Sequence, residues 1–178
     1  SSGHQSPEPQ ISDFIDREHG MSTFSAEQFS RDIRSNNFFH LTERYKNARI
    51  KGRVIVSGRT IPNRVRLEGV QFDSVFDAED ALFGNSLEFF NCIFNGGLHI
   101  AGARINGSLR IKKCDIHPLQ DRNKKELHIR THFGDVEVAL SMVDSEVRQT
   151  VNLSATTIHG AAACSSTQIG GRLILDEV

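Results

Sequence analysis

The sequence predicts an all-β domain, a parallel β-helix whose four-cornered coils each use about 22 residues, preceded by a short helical cap. Three observations carry that prediction. Apolar residues return every 11 positions at Val54, Val65, Phe76, Leu87, Leu98 and Leu109. Two more columns keep step with the first: Val56, Leu67, Ala78, Phe89, Ile100, Ile111, and Ile50, Ile61, Phe72, Phe83, Phe94, Ile105, Ile116. Turn residues keep the same period.

Those turn residues are Gly52, Asn63, Ser74, Asn85, Gly96 and Gly107 on one side of the apolar triplet, and Gly58, Gly69, Asp80, Asn91 and Gly102 on the other. Gly, Asn and Asp tolerate positive φ at low cost, so each unit reads as two short strands separated by tight corners. One unit cannot bury its apolar side alone. Stacking residue i over i+22, at the inter-strand spacing of roughly 4.8 Å, closes a continuous core. The interior is then built of ladders such as Val54/Phe76/Leu98 and Phe72/Phe94/Ile116. Each fully buried side chain contributes roughly 1.5–3 kcal/mol, and the phenylalanines between Phe72 and Phe94 mark the widest part.

A chain of 178 residues suits one domain with a sizeable core. No apolar run approaches the roughly 18–20 residues of a spanning helix, and no signal peptide is visible, so a soluble protein is expected. A net charge of −1 gives no global pull toward nucleic acid and argues against an overall acidic mimic of DNA. Three cysteines without a C-x-x-C pair indicate reduced thiols. Cys92 and Cys114, 22 apart, are expected to stack as small corner residues, and Cys164 is expected to pack inside.

In chain order, residues 1–22 are expected to form a flexible N-terminal segment, within which Ser12 and Gly20 frame a short helix. Residues 23–44 form the helical cap. There Ser25 is the N-cap, Gln28 the third helical residue of a capping box, and Phe24 and Phe29 a hydrophobic staple. The β-helix spans 45–178 and is interrupted at 117–125, where HPLQDRNKK breaks the period. It resumes with Ile129, Leu140, Val151, Ala162 and Leu173, alongside Thr131/Met142/Leu153/Cys164/Leu175 and Val136/Val147/Ile158/Ile169. Counting from Leu109 to Ile129 makes the insertion nine residues long. GGRLILDEV is a regular unit with no closing element after it, which leaves an open edge expected to associate end to end or to meet a partner.

A small residue two places before the third apolar column recurs at Ala48, Ala81, Cys92, Ala103, Cys114, Ser145, Thr156 and Thr167. This small-x-apolar pattern resembles pentapeptide-repeat proteins across residues 45–178, with 11-residue units in place of ten. The resemblance implies a right-handed, quadrilateral β-helix. It implies little about role, because function varies widely across such solenoids.

No catalytic residue, metal site or cofactor is predicted. His128 and His132 have i, i+4 spacing, but on a strand that separates them by about 13 Å, too far for a shared zinc ion. His99 is expected to meet Asp77 on an outer face. Arg66, Glu88 and Arg110 are expected to form an exposed alternating ladder, worth about 0.2–1 kcal/mol per pair. The candidate binding residues are Arg110, Lys112, Lys113, Arg122, Lys124 and Lys125. These six cations meet only Asp115 and Asp121 around the insertion, and nothing in the core requires them. An acidic protein, an anionic ligand or a membrane surface is the expected partner. The functional expectation is a protein-interaction or targeting module, within a larger bacterial protein that stays in the cytoplasm or is delivered to a host cell as an effector. The alternatives are an end-to-end scaffold and an enzyme acting on an extended polymer.

Overall fold

The structure, a computed structural model, describes residues 21–36, 42–120 and 129–178. It is a parallel β-solenoid of about six turns with about 22 residues per turn and one short helix near its N-terminus. Four sheets form the four sides of the coil. The first carries Ala48–Lys51, Gln71–Phe72, Ile93–Phe94, Asp115–Ile116 and Thr157–Ile158. The second carries Val54–Ile55, Phe76–Asp77, Leu98–His99, Val136–Ser141 and Ala161–Ala163. Thr60–Ile61 begins the third side and Val65–Glu68 the fourth.

The predicted ladders are the observed ones. Val54 lies on Phe76 and Phe76 on Leu98, while Phe72 lies on Phe94 and Phe94 on Ile116. The Phe72 and Phe94 rings stack at 4.9 Å, and Phe89 meets Phe94 edge-on at 5.0 Å. All these side chains are buried. Corner residues make the stacking possible because they turn the chain while still pairing with the next coil. Gly58, Asp80 and Gly102 hold φ of +66°, +57° and +69°. Each donates its N–H to a carbonyl one coil on, that of Glu79, Ala101 and Val143, at 2.8 Å. Coils approach so closely at Gly96 that an added Cβ would sit 2.3 Å from the Ser74 and Val75 backbone.

The small-residue corners also carry hydrogen bonds. The Cys92 N–H points at Cys114 Sγ (3.4 Å) and the Cys114 N–H at Thr156 Oγ1 (3.3 Å), while the Thr156 hydroxyl donates to the Ile111 carbonyl (2.6 Å). Burial pushes the Cys92 thiol well above its usual pKa, which keeps it protonated. Cys164, expected inside, is exposed. It belongs to the last described coil, where Leu173 and Leu175 are also about half exposed (54 % and 51 %).

The cap holds one element the sequence did not announce. Ser22–Ser25 is a strand, β1, which pairs in parallel with β2 (Ala48–Lys51) and extends the first side by one rung. Its last residue, Ser25, caps the helix α1 (Ala26–Ile33), its hydroxyl accepting the Gln28 N–H at 3.1 Å. The expected Phe24–Phe29 staple is built through Tyr45, whose buried ring packs edge-on against both, at 4.8 and 5.1 Å. The helix expected between Ser12 and Gly20 lies outside the described residues.

The register corrects the reading of the insertion. Leu98 pairs with Leu140 and Leu109 with Val151, each 42 positions apart, so the excursion adds 20 residues to a coil of 22. Ile129 therefore starts no coil. It packs with Leu119 and Val75 in a satellite cluster outside the main core. Val136, expected inside, is exposed, and the chain rejoins the core only at Val138 to Leu140. Between them His132–Phe133 forms an antiparallel hairpin with the first residues of Val136–Ser141. The apolar spacing of Ile129 and Val136 imitates the repeat, which is why counting alone misplaced the frame.

Candidate functional site

The fourth side ends at a corner where positive φ recurs at Asn47, Gly69, Asn91 and Lys113. Each donates its N–H to the next coil, as Asn91 does to the Lys112 carbonyl at 3.0 Å. The corner amides are thus used by the stacking, and what the corner offers a ligand is its side chains. Lys112 ends the strand Leu109–Lys112 beside Phe90, with Lys113 turning the corner after it. Lys113 takes φ +54°, a conformation costing an L-residue roughly 1–2 kcal/mol. Ala155 and Glu177 accept the same place in later coils, so geometry alone does not demand a lysine.

Lys46, Lys112 and Lys113 line one groove of about 380 Å³, together with Glu68 and Phe90. Three coils separate Lys46 from Lys112, so with rungs roughly 4.8 Å apart the groove spans about 14 Å along the solenoid axis. Glu68 is the one carboxylate among the described lining residues, and it already faces Lys46 (3.8 Å) and Arg66 (3.4 Å). The Arg66 guanidinium lies over the Phe90 ring at 4.5 Å. Lys112 and Lys113 make no ion pair among the described residues, which leaves two ammonium groups for an anion.

Arg110 does not join them. It and Arg64 both bond the Glu88 carboxylate, Arg110 at 2.6 Å. Glu88 is 1 % exposed. Burial opposes its ionisation, but the two arginines prevail and hold its carboxyl below the ordinary range. The expected ladder is therefore only half formed, because Arg66 turns to Glu68 and Phe90. It is also not a surface feature at its centre. Arg122, Lys124 and Lys125 lie outside the described residues, so of the six sequence candidates the structure brings Lys112 and Lys113 together and adds Lys46. The signal for Lys46 was its place in the same column, three coils before Lys112.

His99 departs further from expectation. It stacks on Asp77 as predicted, but both are buried and His99 is fully enclosed. Neither ring nitrogen has a hydrogen-bond partner. Burial pushes its pKa down to about 4, so the ring is neutral at pH 7. Gly97, at φ +84°, leaves the room the imidazole uses, since an added Cβ would lie 3.0 Å from Nε2. Beside Asp77, Glu79 is pushed up to about 7 by desolvation and by its Asp77 and Asp80 neighbours. Elsewhere His117 and His159 stack in parallel at 4.0 Å, with His159 Nε2 3.5 Å from Asp115. No group of three or more potential metal ligands converges among the described residues. His128 lies outside them, and no helix among them is long and apolar enough to cross a membrane.

No protein-family model matches the chain, and no curated protein or solved structure matches it.

Proposed function

We propose that this domain is an interaction module that presents a basic solenoid corner, Lys46, Lys112 and Lys113, to an acidic segment of a partner protein. The observation carrying the reading is the convergence of three lysines on one groove whose only described carboxylate is already engaged. A rigid stack of coils suits this task, because it fixes charges at set intervals and loses little conformational entropy on binding. We also infer a relationship to pentapeptide-repeat solenoids, supported by hydroxyl and thiol side chains serving corner carbonyls in the small-x-apolar column.

The test is fluorescence anisotropy with a labelled polyglutamate peptide. The protein is expected to bind at low salt and to weaken steadily as salt rises, since exposed charges are screened beyond about 8 Å at physiological ionic strength. Substituting Lys46, Lys112 and Lys113 by Ser is expected to weaken binding at least about tenfold while leaving Tm nearly unchanged, since Lys46 and Lys113 are exposed, Lys112 is half-buried, and none belongs to the core. Undiminished binding by a folded triple variant would place the acidic partner elsewhere.

A further inference from the structure

Two thiols lie one above the other at the corner that ends the fourth side. Cys92 and Cys114 immediately precede the paired strands that begin at Ile93 and Asp115, so they hold one place in consecutive coils. Each follows a corner residue that lines the basic groove, Asn91 in one coil and Lys113 in the next. Ala48 and Val70 hold the same place in the earlier coils and Thr156 in the later one. The corner thus accepts alanine, valine or threonine, and packing alone does not ask for two adjacent thiols.

Their geometry brings the sulfurs within reach of each other. With rungs roughly 4.8 Å apart, the two Cα atoms fall inside the span of about 4.4–6.8 Å that disulfides bridge. Cys114 Sγ lies toward the earlier coil, where it accepts the Cys92 N–H at 3.4 Å. Drawing the Cβ atoms from the rung spacing to the about 3.5–4.5 Å of a bridge takes a shift of a few tenths of an ångström. The contacts the sulfurs would give up are weak ones. Cys92 Sγ rests against the Phe90 and Leu67 carbonyls at 3.4 and 3.6 Å, and Cys114 Sγ against those of Lys112 and Phe89 at 3.2 and 3.6 Å. The two thiols are also unequal. A hydrogen bond from the Cys92 thiol holds the Cys114 thiol below its ordinary range, whereas burial holds Cys92 above its own. Cys114 is therefore the better nucleophile of the two. Both cysteines are buried, but Asn91, Ile93 and Lys113 beside them are exposed, so a local opening of the corner is enough to admit a small peroxide.

We propose that Cys92 and Cys114 are a peroxide-responsive pair that closes to a disulfide within the folded solenoid. The Cys114 thiolate attacks the hydroxyl oxygen of a peroxide ROOH. The O–O bond breaks, Cys114 becomes a sulfenic acid, and the departing alkoxide leaves as ROH with the proton that Cys114 had given up. The Cys92 sulfur then attacks the sulfenic sulfur. The S–S bond forms, the S–O bond breaks, and hydroxide leaves as water with the Cys92 proton. Two thiols lose two electrons and two protons, and the peroxide is reduced to ROH and water. The bridge joins positions 22 apart, which fastens the coil of Asn91 to that of Lys113.

The test uses the full chain carrying Cys164→Ser, which removes the exposed thiol. The folded protein is treated with hydrogen peroxide, then denatured and alkylated with iodoacetamide. Free thiols are expected to fall from two to none, the mass to drop by two hydrogen atoms, and peptide mapping to join Cys92 to Cys114, with dithiothreitol reversing all three. The urea midpoint of the oxidised form is expected to rise, because the cross-link restricts the unfolded chain. Cys92→Ala should leave Cys114 as a sulfenic acid that dimedone traps, while Cys114→Ala should leave Cys92 a free thiol. None of these readouts depends on what the basic corner binds. The proposal is overturned if both thiols stay alkylatable after treatment of the folded protein, if the link forms only once the chain is unfolded in urea, if oxidation lowers the urea midpoint, or if dimedone traps Cys92 in the Cys114→Ala protein. Should the alanine variants fail to fold, the peptide map and urea midpoint of the Cys164→Ser protein decide the matter alone.

Discussion

Glu88 and His99 occupy equivalent places in consecutive 11-residue units, one residue after the inward-facing Leu87 and Leu98. Their repeat position predicts exposure for both, and both are buried. The fourth side covers Glu88 with Arg64 and Arg110, so the residue stays charged. The second side gives His99 no partner, so it stays neutral. A solenoid side thus has two ways to enclose an ionisable group. One compensates the charge and the other removes it. The two leave different marks on stability.

The largest effect comes from a group given neither solution. Leu98, next to His99 but facing inward between Phe76 and Leu140, has only apolar side chains in its ladder. Leu98→Asp places a carboxylate there without a cation. It should abolish folding, because the cost of several kcal/mol approaches a typical total stability of about 5–15 kcal/mol. Circular dichroism showing cooperative unfolding of that variant near the wild-type temperature would refute the register. Next comes removal of the compensation itself. Arg64→Ala with Arg110→Ala strands the Glu88 charge and should cost about 3–5 kcal/mol in urea denaturation, whereas Glu88→Met should be close to neutral. Equal losses in the two variants would mean that the arginines do not act through Glu88.

The pH dependence sharpens the contrast, because His99 and Glu79 pull in opposite directions. The pKa of His99 is lowered to about 4 in the fold, so the unfolded chain takes up a proton first, and native stability falls as pH drops from about 6.5 toward 4. Glu79 is raised to about 7, so its contribution is present below about 4.5 and is lost as pH rises through 7. Between about 4.5 and 6.5 the two slopes oppose each other. Glu88, with a lowered pKa, stays ionised in the fold across that window, and its contribution is lost as pH falls below about 4.5 toward its folded value. Glu79→Gln should expose the His99 slope, with stability rising with pH, and His99→Leu should leave the Glu79 slope falling. Urea midpoints across this range measure both. Identical profiles for the two variants would show that neither group controls the response.

The comparison also marks what the sequence could reveal. Val54, Phe76 and Leu98 are legible as a ladder because the information is local and periodic, repeated in every unit. The cap is legible in part, since Ser25 and Gln28 carry their own signature, but Ser22–Ser25 as an added strand is not, because pairing with Ala48–Lys51 depends on residues more than 20 positions away. The excursion fails for the same reason. Ile129 and Val136 have the right spacing, and only the pairing of Leu98 with Leu140 reveals that they lie outside the stack. The burial of Glu88 and His99 is likewise invisible, because what covers an outward residue does not obey the period. At the candidate site, Lys112 and Lys113 were legible as unpaired charge, whereas Arg110 was miscounted because Glu88, 22 residues earlier, claims it.

The smallest expected effect concerns Arg66, the residue below Glu88 in the same column, which the sequence placed in the charge ladder. Its guanidinium instead reaches Glu68 at 3.4 Å and the Phe90 ring at 4.5 Å, and its side chain is 45 % exposed. An exposed ion pair is worth about 0–1 kcal/mol and an exposed cation–π contact about 0.5–1 kcal/mol. Arg66→Ala should therefore cost no more than about 1 kcal/mol, well below the Arg64/Arg110 double change. Because its contacts are screened by salt while the enclosed Glu88 pairs are shielded from it, the Arg66→Ala penalty should shrink at high salt and the double-variant penalty should persist. Urea titrations of both variants at low and high salt compare them directly. A large, salt-independent cost for Arg66→Ala would mean that it does share Glu88, and that the column is the continuous ladder its spacing predicts.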